Sequence, residues 1–89
     1  MQIAETLSFM TPVEFGDGIG FTTIVRLTTG RHALISEVRR GAGVMRVDET
    51  MVFACDEAGN VTDWSELHCV RYGTTADAIA DVRMWRPHG

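Results

Sequence analysis

Phe21-Thr22-Thr23-Ile24-Val25-Arg26-Leu27-Thr28-Thr29-Gly30-Arg31-His32-Ala33-Leu34-Ile35-Ser36-Glu37-Val38 is the stretch that decides the fold. Its first arm alternates. Phe21, Thr23, Val25 and Leu27 fall on one side of an extended strand, and Thr22, Ile24 and Arg26 on the other. Thr29-Gly30 reads as a two-residue turn between the arms. Closing a hairpin there sets Leu27 against His32, Val25 against Leu34 and Phe21 against Val38. On the reverse face Arg26 meets Ala33, Ile24 meets Ile35 and Thr22 meets Glu37. The partners agree in character, and a slip of one residue would mix apolar with charged positions. The Ile24–Ile35 pair leaves an apolar spot on the reverse face, to be covered by the helix, another strand or a partner.

Working outward, residues 41–49 read as a glycine-containing loop, or as the end of an irregular strand through Val44 and Val47. Thr50-Met51-Val52-Phe53-Ala54-Cys55 is apolar on both faces and suits an inner strand covered on both sides. Asp56 to Asn60 is a turn. Asp63-Trp64-Ser65-Glu66 carries a cap-like acid with Glu three residues on, the spacing of one helical turn. Leu67 to Tyr72 is expected as another strand, ended by Gly73. Thr74 then caps a helix with Asp77 in its first turn. Ala78, Ile79, Val82 and Trp85 form its apolar stripe, and Pro87 ends it. Before the hairpin, Leu7 and Phe9, with Val13 and Phe15 less regularly, outline a short edge strand interrupted by Pro12. Gly16-Asp17-Gly18-Ile19-Gly20 follows as a connector. A phosphate cradle would need a helix after those glycines, and the strand-like Phe21 to Val25 follows instead. The expected fold is α+β: a small antiparallel β-meander of four to five strands with one C-terminal α-helix packed on a sheet face.

Composition narrows the function. Eighty-nine residues, 45% of them hydrophobic, suit a single domain over 1–89 with a modest core. All eight basic residues are arginine, and the formal charge is −4. With a pI near 5.2 there is no whole-domain positive field for a phosphate backbone. Arg39, Arg40 and Arg46 are too thin a cluster for one, so nucleic acid is not expected as a partner. Nor is a membrane: no apolar run approaches the ~20 residues of a span. Met1 to Met10 contains Glu5 and lacks a basic start and a continuous apolar run, unlike a signal peptide. A cytoplasmic location follows as the expectation, with Cys55 and Cys69 reduced and buried. In that compartment Asn60-Val61-Thr62 meets no glycosylating enzyme.

Chemistry-bearing constellations are sparse. Cys55, His68, Cys69, His32 and His88 contain neither C-x-x-C nor H-x-x-x-H. His68 and Cys69, adjacent in an expected strand, point to opposite faces. Asp56, Asn60 and Asp63 resemble a calcium loop, but the glycine stands at the fourth position and Leu67 occupies the twelfth. Nucleophilic catalysis needs an activated Ser or Cys beside a base, and there is no G-x-S-x-G. Asp48-Glu49 and Asp56-Glu57 are neighbours at strand ends rather than acids held across a cleft. No metal, cofactor or catalytic residue is expected, and the protein reads as a non-enzyme. The candidate interaction residues are Ile24, Ile35, Trp64 and Trp85. Trp64 is either a lid folded over the sheet edge or an interface residue. Trp85 is either the last staple of helix to sheet or a contact for another subunit.

Glu49-Thr50-Met51-Val52-Phe53, Asp56, Gly59-Asn60-Val61-Thr62-Asp63-Trp64 and Arg71-Tyr72-Gly73-Thr74, followed by an alanine-rich helix, carry a resemblance. The pattern, from Glu49 to about Val82, resembles small, largely uncharacterised accessory proteins of actinobacterial phages such as mycobacteriophages. The resemblance implies a protein made in the host bacterial cytoplasm that binds or modulates a host protein. Such families carry a His within the helix. This chain has Asp81, Val82 and Arg83 there, so a role resting on that His is absent or moved. The alternative expectation is a self-assembling homodimer, formed through the Ile24–Ile35 face or an edge strand.

Overall fold

A computed structural model describes residues 2–15, 18–40, 46–66 and 73–85. Five strands follow in chain order: β1 (Ile3–Phe15), β2 (Gly18–Leu27), β3 (His32–Arg40), β4 (Arg46–Cys55) and β5 (Val61–Glu66). They form one sheet in the order β1-β2-β3-β4-β5, and every neighbouring pair is antiparallel. A short helix, α1 (Thr75–Ala80), and a 3-10 turn over Val82–Met84 follow. The antiparallel meander and, among the described residues, a single α-helix match the expectation from sequence.

The register of the central hairpin does not. The β2–β3 loop is three residues long, Thr28-Thr29-Gly30, not two. Gly30 N–H donates to Leu27 O at 2.9 Å, and Leu27 N–H donates to Arg31 O at 2.7 Å. Gly30 takes φ 89°, the left-handed conformation that closes a turn-plus-bulge hairpin. Leu27 therefore faces Arg31, and the pairs beyond are Arg26–His32, Val25–Ala33, Ile24–Leu34 and Thr23–Ile35. Ile24 and Ile35, expected opposite each other, lie on opposite faces of the sheet. Because side chains alternate with period two, one extra loop residue reassigned the whole of β3 relative to β2.

The consequence is a core on the face that carries the odd-numbered residues of β2 and β3, called the odd side below. Thr23, Val25 and Leu27 of β2, Ala33, Ile35 and Glu37 of β3, and Thr50 and Val52 of β4 are all buried. Glu37 pairs with Thr50 and Ile35 with Val52, which keeps these residues on one face. Val25, Leu27, Ala33, Ile35 and Val52 form a single cluster with Ala78 and Trp85 of the C-terminal segment; Ile3, Ile79 and Val82 pack against it. On the opposite face Val38, Phe53 and Cys55 are buried too. β4 is thus apolar on both faces, as an inner strand should be.

Other expectations change in their extent. β1 is a long edge strand of 13 residues, and Pro12 lies inside it rather than ending it. Gly18 and Gly20 belong to β2, not to a connector. Val47 lies in β4 opposite Arg39. Asp63-Trp64-Ser65-Glu66 is strand, not a helical turn, since pairing with β4 supplies its backbone partners. The strand expected over Leu67 to Tyr72, Val44 and the stop at Pro87 lie outside the described residues. Thr74 caps α1 as expected, its Oγ1 accepting from Asp77 N–H at 3.1 Å. The helix spans 6 residues, too few to stand without tertiary support. Its apolar stripe is continued by the 3-10 turn, whose extended end at Trp85 (φ −68°, ψ 124°) brings the indole into the core.

A Cβ at Gly30 would meet nothing within 4 Å, so any penalty there is conformational rather than steric. Gly30→Ala should lower stability by roughly 1–2 kcal/mol, and Gly30→Asn by less, in chemical denaturation. Equal midpoints for wild type and Gly30→Ala would contradict the left-handed turn.

Candidate functional site: the outer edge of β1

The 13 residues of β1 run beside the 10 of β2. The excess is absorbed by register shifts between Ile3 and Glu5, Thr6 and Ser8, and Ser8 and Thr11. Leu7 falls in the second shift, and Phe9 and Met10 in the third, so none of the three is paired in register with a residue of β2. These irregularities break the alternation that would have turned the apolar residues inward. Ile3 still reaches the core cluster. Leu7, Phe9 and Val13 do not: they are 41%, 64% and 44% exposed.

The backbone holds this display in place. Met10 has φ 52°, an unusual conformation for a residue with a side chain. Its N–H donates to Oγ1 of the fully buried Thr23 at 3.0 Å. Thr22 Oγ1 donates to Thr11 O at 3.4 Å on the far side of the bulge. Charge on the strand is of one sign. β1 contains Glu5 and Glu14 and no basic residue. Glu5 pairs with Arg26 across the sheet at 3.2 Å, with both side chains well exposed. Glu14, exposed, follows Val13 and lies on the opposite face of the strand.

The residues nominated by sequence stand elsewhere. Ile35 and Trp85 are fully buried in the core, so neither is available to a partner in the folded chain. Of the two readings of Trp85, the structure places it as a core residue; its Nε1–H has no partner among the described residues. Ile24 is half-buried, and a Cβ placed at Gly59 would lie 2.6 Å from its Cδ1. The β4–β5 turn therefore sits against Ile24. Trp64 lies in β5, and its side chain is outside the described residues.

Titratable groups in the interior are structural in character. Glu37 is 1% exposed. Its Oε1 accepts from Thr75 N–H at 2.7 Å, and its Oε2 accepts from Arg39 Nε at 2.7 Å. Arg39 in turn lies over the Phe21 ring, 5.0 Å from its centroid. Burial alone would raise the Glu37 pKa. The Thr75 amide and the Arg39 guanidinium outweigh it and hold the carboxyl below its ordinary value. Cys55 is pushed up to about 11 by burial and by the charge of Asp56, which keeps it a thiol at neutral pH and a weak nucleophile. His32 faces Cys55 across the strands, but no activated dyad results. Asp56 accepts from the N–H groups of Ala58 and Asn60 and from Asn60 Nδ2, a turn closed on itself. Those bonds lower its pKa. Among the described residues no three His, Cys, Asp or Glu side chains gather as a metal site would require. His68, Cys69 and His88 lie outside them. No described helix is long and apolar enough to cross a membrane.

The β1 surface had a weak trace in the sequence, the Leu7–Phe9–Val13 spacing. The buried role of Glu37 had none under the expected register, which put it on the reverse face with Thr22. Comparison with protein-family models, curated proteins and solved structures finds no match for this chain.

Glu37→Ala should destabilise the protein by about 3 kcal/mol, because it strands the Thr75 N–H and removes the partner of Arg39. Glu37→Gln keeps an acceptor and should cost less. Since the folded pKa is depressed, this carboxylate contributes fully above its ordinary value of 4.5, and the contribution is lost as pH falls through the lower folded value. Acid titrations of stability should accordingly be shallower below pH 4.5 in Glu37→Gln than in wild type. Parallel curves would remove Glu37 from this role.

Proposed function

We propose that this protein is a non-catalytic binding module that acts by docking onto another protein. The observation that carries the reading is the exposure of Leu7, Phe9 and Val13 on an edge strand in which the Thr23 hydroxyl accepts the Met10 N–H. Large apolar side chains on an edge are normally hidden or replaced by charges unless they meet a partner. An aromatic in such a position is a natural anchor for binding energy. Among the described residues, Cys55 is a weak nucleophile and Glu37 is engaged with Thr75 and Arg39, so neither offers a competing chemical site. In this reading α1 and Trp85 are the cover of the odd side, which leaves the β1 edge as the contact surface. Trp64, at the opposite edge strand, is a second contact residue.

The resemblance to actinobacterial phage accessory proteins supplies the setting: a host protein occluded or titrated in the bacterial cytoplasm. Pull-down of the tagged chain from an actinobacterial lysate, quantified by mass spectrometry, tests the reading. Wild type should enrich one host protein, and Phe9→Ser should reduce its recovery about thirtyfold, as loss of ~2 kcal/mol at a hot spot would. Circular dichroism of the variant should be unchanged. Recovery of the bait alone, or equal recovery with Phe9→Ser, would contradict it.

A further inference from the structure

The C-terminal segment is held differently from the strands. Each strand is secured by a backbone ladder to its neighbours. Residues 74–85 belong to no ladder, and their backbone bonds close locally. Ala78 N–H donates to Thr74 O at 3.1 Å, Asp81 N–H to Ala78 O at 3.2 Å, Met84 N–H to Asp81 O at 2.8 Å and Trp85 N–H to Val82 O at 3.2 Å. We propose that residues 74–85 are a strap that opens as one unit, latched by the Glu37 carboxylate on the Thr75 amide, while β2, β3 and β4 stay folded. The strap is independent of the binding-module reading.

Three observations support it. The first is that attachment is concentrated at the two ends. At the start Glu37 Oε1 accepts Thr75 N–H at 2.7 Å, and beside it Thr50 Oγ1 donates to Gly73 O at a long 3.4 Å. At the end the fully buried Trp85 joins the core cluster, with Ala78 between the two anchors. The second is length. A helix of 6 residues followed by a 3-10 turn of 3 does not persist alone, so release of one anchor frees the other. The third is the Trp85 indole. Its Nε1–H is buried with no partner among the described residues, and opening returns it to water. Against that, opening bares Val25, Leu27, Ala33, Ile35 and Val52, which keeps the closed form dominant. The strap thus governs access to the apolar odd side, and Glu37 sets how often it opens.

Hydrogen exchange of the full chain under native conditions, followed by NMR and corrected for intrinsic rates, tests the proposal. The amides of Thr75, Ala78, Asp81, Met84 and Trp85 should share one opening constant, at least about tenfold larger than that of the slowest amides of β3. Glu37→Gln should raise that constant about tenfold. Gly30→Ala weakens the β2–β3 turn, which stays closed when the strap opens. It should therefore speed the slow β3 amides about tenfold and leave the strap amides unchanged. Strap amides that exchange as slowly as β3, or that quicken with Gly30→Ala by the same factor as β3, would show only global unfolding and overturn the proposal. Opening constants that spread more than about tenfold from Thr75 to Trp85 would show fraying and overturn it too. An unchanged strap in Glu37→Gln would remove the latch. Should Glu37→Gln fail to fold, the wild-type and Gly30→Ala profiles still decide whether the strap opens by itself.

Discussion

Gly30 closes the β2–β3 turn with φ 89°, and that one left-handed residue determines which side of the sheet each side chain occupies. A three-residue loop pairs odd positions of β2 with odd positions of β3; a two-residue loop would pair odd with even. Thr23, Val25 and Leu27 are thereby joined by Ala33, Ile35 and Glu37 on one buried face. Everything on that face follows from the choice, including the place of Trp85 in the core and the meeting of Glu37 with the start of α1. Ile24 goes to the other face, where Gly59 lies against it.

Glu37 shows how a charge is accommodated in such a face. A carboxylate there is expensive to bury unless it is paired and hydrogen-bonded. Arg39, two residues along the same strand, reaches it at 2.7 Å, and the Thr75 amide supplies the second bond at 2.7 Å. The amide would otherwise be one of the unsatisfied donors at the beginning of a helix. One side chain thus satisfies two groups that each need a partner, and it ties a helix of 6 residues to the sheet. Thr74, with its hydroxyl on Asp77 N–H, completes the same end of the helix.

Much of this was legible in the sequence, and the failures are physical. Alternation in Phe21 to Leu27, the apolar run Thr50 to Cys55 and the Thr74–Asp77 cap all became the elements they suggest. The hairpin register was misread because Thr-Thr-Gly accommodates a turn closed in two residues or in three, and alternation alone tolerates either. The length of β1 was misread because bulges absorb residues without leaving a mark in composition; Pro12 is harmless on an edge strand. Asp63 to Glu66 has the spacing of a helical cap, but strand pairing overrode it. For the candidate site, Leu7, Phe9 and Val13 were visible as alternating residues. Their exposure was not, since it depends on where the bulges fall. Trp85 invited an interface reading because a tryptophan beside a chain's polar end looks available, whereas the 3-10 turn carries it inward.

The reading of function depends on this sorting of faces: a buried odd side, a β1 edge left with Phe9 outward, and Ile24 and Ile35 separated by the sheet. Cross-strand nuclear Overhauser contacts across the β2–β3 hairpin test it most directly. The account expects Ile24 to face Leu34 and Thr22 to face Ser36, with Thr23 opposite Ile35. Contacts that instead set Ile24 opposite Ile35 and Thr22 opposite Glu37 would contradict it, because they would put Ala33, Ile35 and Glu37 on the side of the sheet opposite to Val25 and Leu27.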